Sequence, residues 1–431
     1  MVWAKIDAAM TKRRHLARWV AAIELPFVAA IAPALLMPTP RRLLVLAAVP
    51  LIWLAAQQSG RGWVARTPFN LALWLMLGMV GISAYATADI LFSLGKIAGV
   101  ILGTLVFWAL CRWLTTPQRL QLGAAAFVLA GVALAVIGLL GVEHPRKFAA
   151  LSALGALLPR IISGIPGAEH GFNPNGVSGG LLLLIPLQVA GLLRARVSLG
   201  RRLVVVQSGL LLITAGTVVL MQSRTAWVSL LIGMAVLIAA LPQWRRRLPA
   251  LALAVLTVIA AAVGVATSDS GPTDEPSGAA VSVAQRTELW VRGIDAIRDS
   301  PITGTGMNMF RRLVADRYPV FLLPGTDVAH AHNHLLQAAL DLGVPGLVAY
   351  LAVWLIAGTL LLRVLRHAQD PGDQAIAAGL AGGLAAYFAF GLADTIALGS
   401  KVGLLFWVAL ALVAALHRLA GPRADPAMTL P

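Results

Sequence analysis

This chain is poor in cysteine, in charge and above all in acid. Cys111 is its only cysteine, which excludes an intramolecular disulfide and a cysteine-built metal site. Charged residues make up 12% of the 431 positions, against 59% hydrophobic ones. Together with a mean hydropathy of +0.82, that excludes an ordinary soluble core and points to an all-α polytopic membrane protein. Acidic residues number 18 against 34 basic ones, for a net charge of +16. The excess does not imply nucleic acid as a partner, because the basic residues sit in short loops between apolar runs rather than along one stripe. The glycine-rich stretch Ile302–Asn308 has no GK[ST] after it and no strand before it, so it is not a nucleotide phosphate loop. HExxH is missing, and Glu288, Asp316 and Asp327 form no D-x-D pair. No metal or other cofactor is therefore expected, although His330 and His334, at i and i+4, would share a helix face if a helix began early enough. No cleavable leader is apparent: Lys12, Arg13, Arg14 and Arg18 precede an apolar run that reads as a retained anchor.

What the chain has instead is a succession of apolar runs. A spanning helix needs roughly 20 mostly apolar residues. By that measure there are about twelve spans, near 18–37, 43–57, 68–86, 89–111, 120–141, 176–194, 202–221, 225–241, 248–267, 344–365, 375–395 and 401–417. No soluble domain is long enough to fold separately, so residues 1–431 read as a single integral membrane domain. With both termini in the cytoplasm, the basic clusters Arg194–Arg202, Arg245–Arg247, Arg363–Arg366 and Arg418–Arg423 all fall inside. Two long segments, about 142–175 and 268–343, then face the other side. Lys147–Ile162 is amphipathic enough to lie on the membrane surface there. It and the Arg41–Arg42 pair either meet acidic head groups or simply anchor the chain to membrane lipids.

The polar residues that stand out belong to this external side. Asn173–Ser178 (NPNGVS) is a turn cluster before the sixth span. Arg224 lies between two apolar runs, where the inside bias disfavours arginine. In the second long segment a helix is expected over Val281–Asp299, with Arg286 on its polar side and Ser300-Pro301 as its stop. His330, His332 and His334 then fall within five residues, before a helix-periodic run to a stop signal at Gly343, with Asp327 in the N-cap region. Arginines bind phosphate oxygens, and a histidine that is neutral near pH 7 accepts a proton from a hydroxyl. That combination suits displacement of a phosphate leaving group by an alcohol. The histidines would otherwise be capping and loop-bonding groups. Lys96, inside the fourth span, is left open: it binds phosphate, snorkels or pairs with a carboxylate.

These residues carry a family resemblance. His332-Asn333, nine residues, Gly343, two residues and Gly346 resemble the H-[NSQ]-x9-G-xx-[GTY] signature of bacterial O-antigen ligases. NPNGVS, SRTAW (Ser223–Trp227) and RTELWVRGIDAIRDSPITGTG (Arg286–Gly306) resemble the wider superfamily, which includes O-antigen polymerases and O-oligosaccharyltransferases. The likeness covers about 170–346 closely. It implies a GT-C-type, inverting, metal-independent glycosyltransferase of the bacterial inner membrane with a periplasmic active site. The implied donor is undecaprenyl-diphosphate-linked O-antigen, and the implied acceptor is a sugar of lipid A–core. On the matching positions His332 is the implied base, Arg224 and Arg286 the diphosphate ligands, and Asn333 and Asn175 further substrate-side residues. His330 and His334 have no counterpart in the signature. A polymerase or a protein-glycosylating enzyme would share this chemistry. A lipid-linked glycan transporter would instead need a polar track at mid-membrane and an internal repeat, which the chain lacks.

Overall fold

The chain is described here from a computed structural model, over residues 11, 19, 22–58, 60, 62–145, 147–162, 172–198, 200–241, 278–321 and 328–420. The ninth expected span, near 248–267, and Asp327 lie outside the described residues. Those described form helices and no strand. They are α1 (Ala22–Leu36), α2 (Ala48–Gln58), α3 (Asn70–Ala86), α4 (Ile90–Trp113), α5 (Pro117–Gly141), α6 (Ala149–Ala156), α7 (Pro174–Leu182) and α8 (Ile185–Ser198). They continue with α9 (Arg201–Leu220), α10 (Arg224–Ala240), α11 (Gly278–Asp299), α12 (Phe310–Asp316), α13 (His334–His367), α14 (Pro371–Ala393) and α15 (Leu404–Ala420).

Five of these, α4, α5, α9, α13 and α14, are long and apolar enough to cross a membrane, and α7 with α8 makes a sixth if that bent pair is one span. Several shorter apolar helices pack among them. The described residues are thus all-helical, and several apolar helices long enough to cross a membrane make the chain a multi-pass membrane protein. The expected sixth span is not straight: α7 and α8 meet at 41°. Pro186, at the start of α8, has no N–H to carry the helical ladder across the break. The amphipathic piece expected over Lys147–Ile162 is helical only over α6.

Polar residues mark where the helices start. Asp89, Thr116, Asn173, Ser223, Asn333 and Asp370 each accept a backbone N–H of the first turn, and Pro117, Pro174 and Pro371 occupy the first position. NPNGVS is therefore a cap, a first-turn proline and the opening of α7. Close packing relies on small residues, as between membrane helices generally: α10 and α14 meet where Gly233 faces the Gly382 carbonyl.

The two ends of the bundle differ. At one end Arg112 pairs with Glu24 at 2.9 Å and donates to the carbonyls of Gly62 and Trp63, and Arg418 donates to the carbonyls of Cys111 and Leu114. At the other end the polar segments singled out above converge. There Ser83, at the end of α3, donates to the Asp341 carbonyl and accepts from Met307 N–H.

The ligase-like spacing has a structural meaning at Gly343. This residue breaks α13 with φ 70° and ψ 178°, a backbone state that only glycine adopts readily. The turn Pro301–Gly306 docks into the break. Val344 N–H donates to Pro301 O at 2.8 Å, Thr305 N–H donates to Leu340 O at 2.7 Å, and the Gly343 α-carbon faces the Ile302 carbonyl so closely that a side chain would collide with it. The glycine-rich turn is a wedge that ties the long polar segment to α13.

Candidate functional site

Asn333 sets the start of α13. Its Oδ1 accepts from Leu335 and Leu336 N–H, and its Nδ2 donates to Leu392 O at 3.1 Å. Asn333, not a residue near 327, is the cap, so α13 begins at His334 and His330 precedes it. His330 and His334 therefore do not share a helix face. The loop in front of the helix is held by Gln337, whose Oε1 accepts Ala331 N–H and whose Nε2 donates to Asp341 Oδ1. Asp341 Oδ1 also accepts Asn308 N–H, so one buried carboxylate joins the histidine loop to the glycine turn.

This arrangement separates the three histidines. His334 turns into the bundle, 4% exposed, with its Nδ1 2.9 Å from the Tyr350 hydroxyl and its ring against Tyr350, Trp354 and Phe388. It is a core residue. His332 turns the other way, with φ 50°, a left-handed conformation uncommon for a residue with a side chain. Its Nδ1 lies 3.0 Å from Asp394 Oδ1. His330 stands beside it, ring centroids 4.4 Å apart, with Nε2 3.9 Å from the same oxygen and Nδ1 accepting His332 N–H.

Asp394 went unnoticed in the sequence, where it is one acid at the end of an apolar run. It is 3% exposed. Its Oδ2 accepts from Asn175 Nδ2 at 2.9 Å, and its Oδ1 also accepts Thr395 N–H. Burial alone would raise its pKa, but the His332 hydrogen bond and the neighbouring imidazoles hold the carboxyl below the usual carboxylate value. Burial, helped by His332, lowers the His330 pKa to about 4, so that ring is neutral at pH 7.

Arg224 and Arg286 come into the same neighbourhood. Desolvation first, then both arginines, lower the Lys147 pKa against the pull of Asp394, and Arg286 also acts on His330. The Arg224 guanidinium lies 5.7 Å from the Phe148 ring centre, and Phe148 stacks on Trp227. The Arg224 Nε is buried with no hydrogen-bond partner. Gln222, fully buried with φ 52°, holds this corner: its Oε1 accepts Lys147 and Phe148 N–H at 2.8 and 2.9 Å, and its Nε2 donates to Pro145 O. Lys147 and Gln222 were not among the residues the sequence singled out for chemistry. Their signal is local, a lysine after a helix end and a glutamine before an arginine.

Lys147 thus lies within electrostatic reach of both arginines, and among the described residues Asp394 is the one carboxylate that acts on it. Like charges held this close repel, and an anion bearing two or more charges relieves that repulsion. His330, His332 and Asp394 present ligand atoms within 4.8 Å of one another, a set able to hold a divalent metal. On His330, Asp394 acts as a negative neighbour, and Lys96 and Arg286 act as positive ones.

Two comparisons with known proteins bear on this geometry. A family model described as O-antigen ligase matches residues 209–351. That stretch runs from α9 into α13 and includes Arg224, Arg286, His332, Gly343 and Gly346, while Asn175 and Asp394 fall outside it. No curated protein matches the chain.

Proposed function

We propose, for a chain whose residues 209–351 match a family model described as O-antigen ligase, that it moves a polysaccharide from undecaprenyl diphosphate to a sugar hydroxyl of lipid A–core. The observation that carries the reading is the His332–Asp394 pair set beside Lys147 and the two arginines within electrostatic reach of it. A carboxylate on Nδ1 fixes the imidazole proton there and leaves Nε2 as a proton acceptor. The acceptor hydroxyl attacks the anomeric carbon of the donor sugar and gives its proton to His332 Nε2. The bond from that carbon to the diphosphate oxygen breaks, and undecaprenyl diphosphate leaves with the electron pair. Attack opposite the leaving group inverts the anomeric centre. Arg224, Arg286 and Lys147 stabilise the charge that builds on the diphosphate, as a metal does elsewhere, so the transfer is metal-independent. Asn175 and Asn333 are positioning residues: one holds Asp394, the other the histidine loop.

The same reading includes twelve spans in a GT-C-type architecture, both termini in the cytoplasm and the site on the periplasmic face of the inner membrane. The gathering of the polar segments at one end of the bundle, with Arg112 and Arg418 at the other, supports that orientation.

Each arginine is expected to contribute transition-state charge stabilisation. Arg286→Ala and Arg224→Ala should each lower kcat/KM about a hundredfold, measured with purified protein and lipid-linked donor. Activity within threefold of wild type in both would remove the diphosphate assignment. Gln222→Ala should act more mildly and on binding. Without its amide two backbone donors lose their partner and the Phe148–Arg224 contact loosens. The donor KM should rise about tenfold with kcat nearly unchanged, and a donor titration separates the two.

A further inference from the structure

The sequence leaves Lys96 with three readings, and the transfer scheme above gives it no part. It stands near the start of α4. Its backbone is fixed there, because the Gly399 α-carbon faces the Lys96 carbonyl so closely that a side chain would collide with it. One turn earlier, the Phe92 carbonyl accepts from Asn308 Nδ2 at 3.3 Å, and Asn308 N–H donates to Asp341 Oδ1 at 3.0 Å. Helix side chains lean toward the N-terminal end of their own helix, so Lys96 reaches back toward Asn308 and Asp341. It lines the cavity that His330 and Asp394 also line. The side chain therefore points into the bundle and does not snorkel to the lipid interface.

The surrounding charges select between the two readings that remain. Among the described residues, Asp341 is the one carboxylate that acts on Lys96, against Arg311 as a like charge, and Lys96 is the one cation that acts on Asp341. The nearby Asp394 is engaged by His332 and Asn175. Asp341 is 2% exposed. Its Oδ1 takes both of its hydrogen bonds, from Asn308 N–H and Gln337 Nε2, and its Oδ2 accepts none among the described residues. A carboxylate buried in this way is costly unless a cation compensates it. No direct ion pair joins the two among the described residues, so Lys96 acts on Asp341 through space, where a low dielectric keeps the attraction strong.

We propose that Lys96 is the counter-ion of Asp341 and a positioning residue for the transfer. The pair stabilises the carboxylate that ties the histidine loop, through Gln337 and Ala331, to the glycine turn. Lys96 touches neither substrate in this account. It acts through Asp341 and Gln337 on the loop that carries His332. This inference rests on the transfer reading above.

The test is a double-mutant cycle on the full chain in lipid nanodiscs, with undecaprenyl-diphosphate-linked polysaccharide and lipid A–core as substrates. Lys96→Met should lower kcat about tenfold, with both KM values within about twofold of wild type. Asp341→Asn should lower kcat by a similar factor: its amide oxygen still accepts from Asn308 and Gln337, but the lysine has lost its counter-charge. The double variant should return to within about threefold of wild type, because removing both buried charges together is close to neutral. Lys96→Arg should stay nearer wild type than Lys96→Met. A double variant as slow as the slower single one would overturn the pairing. So would Lys96→Met at the wild-type rate. A tenfold rise in either KM for Lys96→Met would make the lysine a substrate ligand and overturn the positioning role. Melting temperatures are taken on the same samples. If a single variant does not fold, the double variant must fold for the proposal to stand. Coupled melting temperatures with an unchanged kcat in the single variants would make the pair structural only and overturn the positioning role. If wild type transfers nothing, the transfer reading and the positioning role both fail, and the melting temperatures still decide the pair: recovery in the double variant supports it, and no recovery overturns it.

Discussion

Asp394→Asn is expected to reduce transfer by about a hundredfold to ten-thousandfold, with the donor KM unchanged. The carboxylate is nearly sealed from solvent and accepts from His332, Asn175 and Thr395 N–H. Asparagine keeps the size and one acceptor oxygen but loses the charge. If its oxygen turns to His332, the ring keeps its tautomer without electrostatic support for the imidazolium formed in the reaction. If its amide turns there instead, the Nδ1 proton moves to Nε2 and the base is lost. Both outcomes lower kcat rather than binding, because the diphosphate is held by other residues. Asp394→Glu retains charge in the wrong place and should recover part of the rate. A structural role alone would not produce that order, nor a kcat effect at unchanged thermal stability. Asp394→Asn with a rate within threefold of wild type would show that His332 works without its carboxylate.

Gly343→Ala is expected to lower folding stability strongly. With φ 70° and ψ 178° the residue occupies a glycine-only region, and strain there costs about 1–3 kcal/mol. The added carbon would also strike the Ile302 carbonyl, so the turn must move and loosen its hydrogen bonds from Val344 and to Leu340. That turn fixes Asn308 on Asp341, which in turn holds Gln337 and the histidine loop. The melting temperature in detergent should therefore fall, and transfer should fall with it in whatever protein remains folded. Gly358→Ala is the control. It lies on the same helix with nothing within 4 Å of the new carbon, so it should be neutral or slightly stabilising. Equal melting temperatures for the two variants would contradict the wedge.

The sequence shows many of the helices because apolar runs are long and loops are short; most described apolar helices start and stop within a few residues of the expected spans, but α13 begins at His334 rather than near 344 and the sixth span is broken. It singles out Arg224 as a charge between two apolar runs, Arg286 from the polar side of an expected helix, and His332 from the histidine cluster and its spacing to Gly343. It does not show which histidine does what. His330, His332 and His334 look alike in a string of letters, and only a helix start at His334 together with a left-handed His332 sends one ring into the core and another to Asp394. Nor does it show Asp394 itself, 62 residues from its partner. That acid is visible only as a lone carboxylate where a span ends, a signal shared by ordinary caps such as Asp370. The bend between α7 and α8 is similarly hidden, since Leu183 and Leu184 continue the apolar run through it. Distances between Arg224, Arg286 and Lys147 depend on how three separate segments pack, which no local pattern encodes.

The most direct test is an in vitro transfer assay with purified wild type, His332→Ala and Asp394→Asn, given undecaprenyl-diphosphate-linked polysaccharide and lipid A–core in the presence of EDTA. The account predicts transfer by wild type, none detectable by His332→Ala and a residual rate about a hundredfold or more below wild type for Asp394→Asn. Transfer by His332→Ala at the wild-type rate would contradict it. So would wild-type transfer that stops with EDTA and returns with a divalent cation, because the His330–His332–Asp394 set would then be a metal site rather than a base and its support.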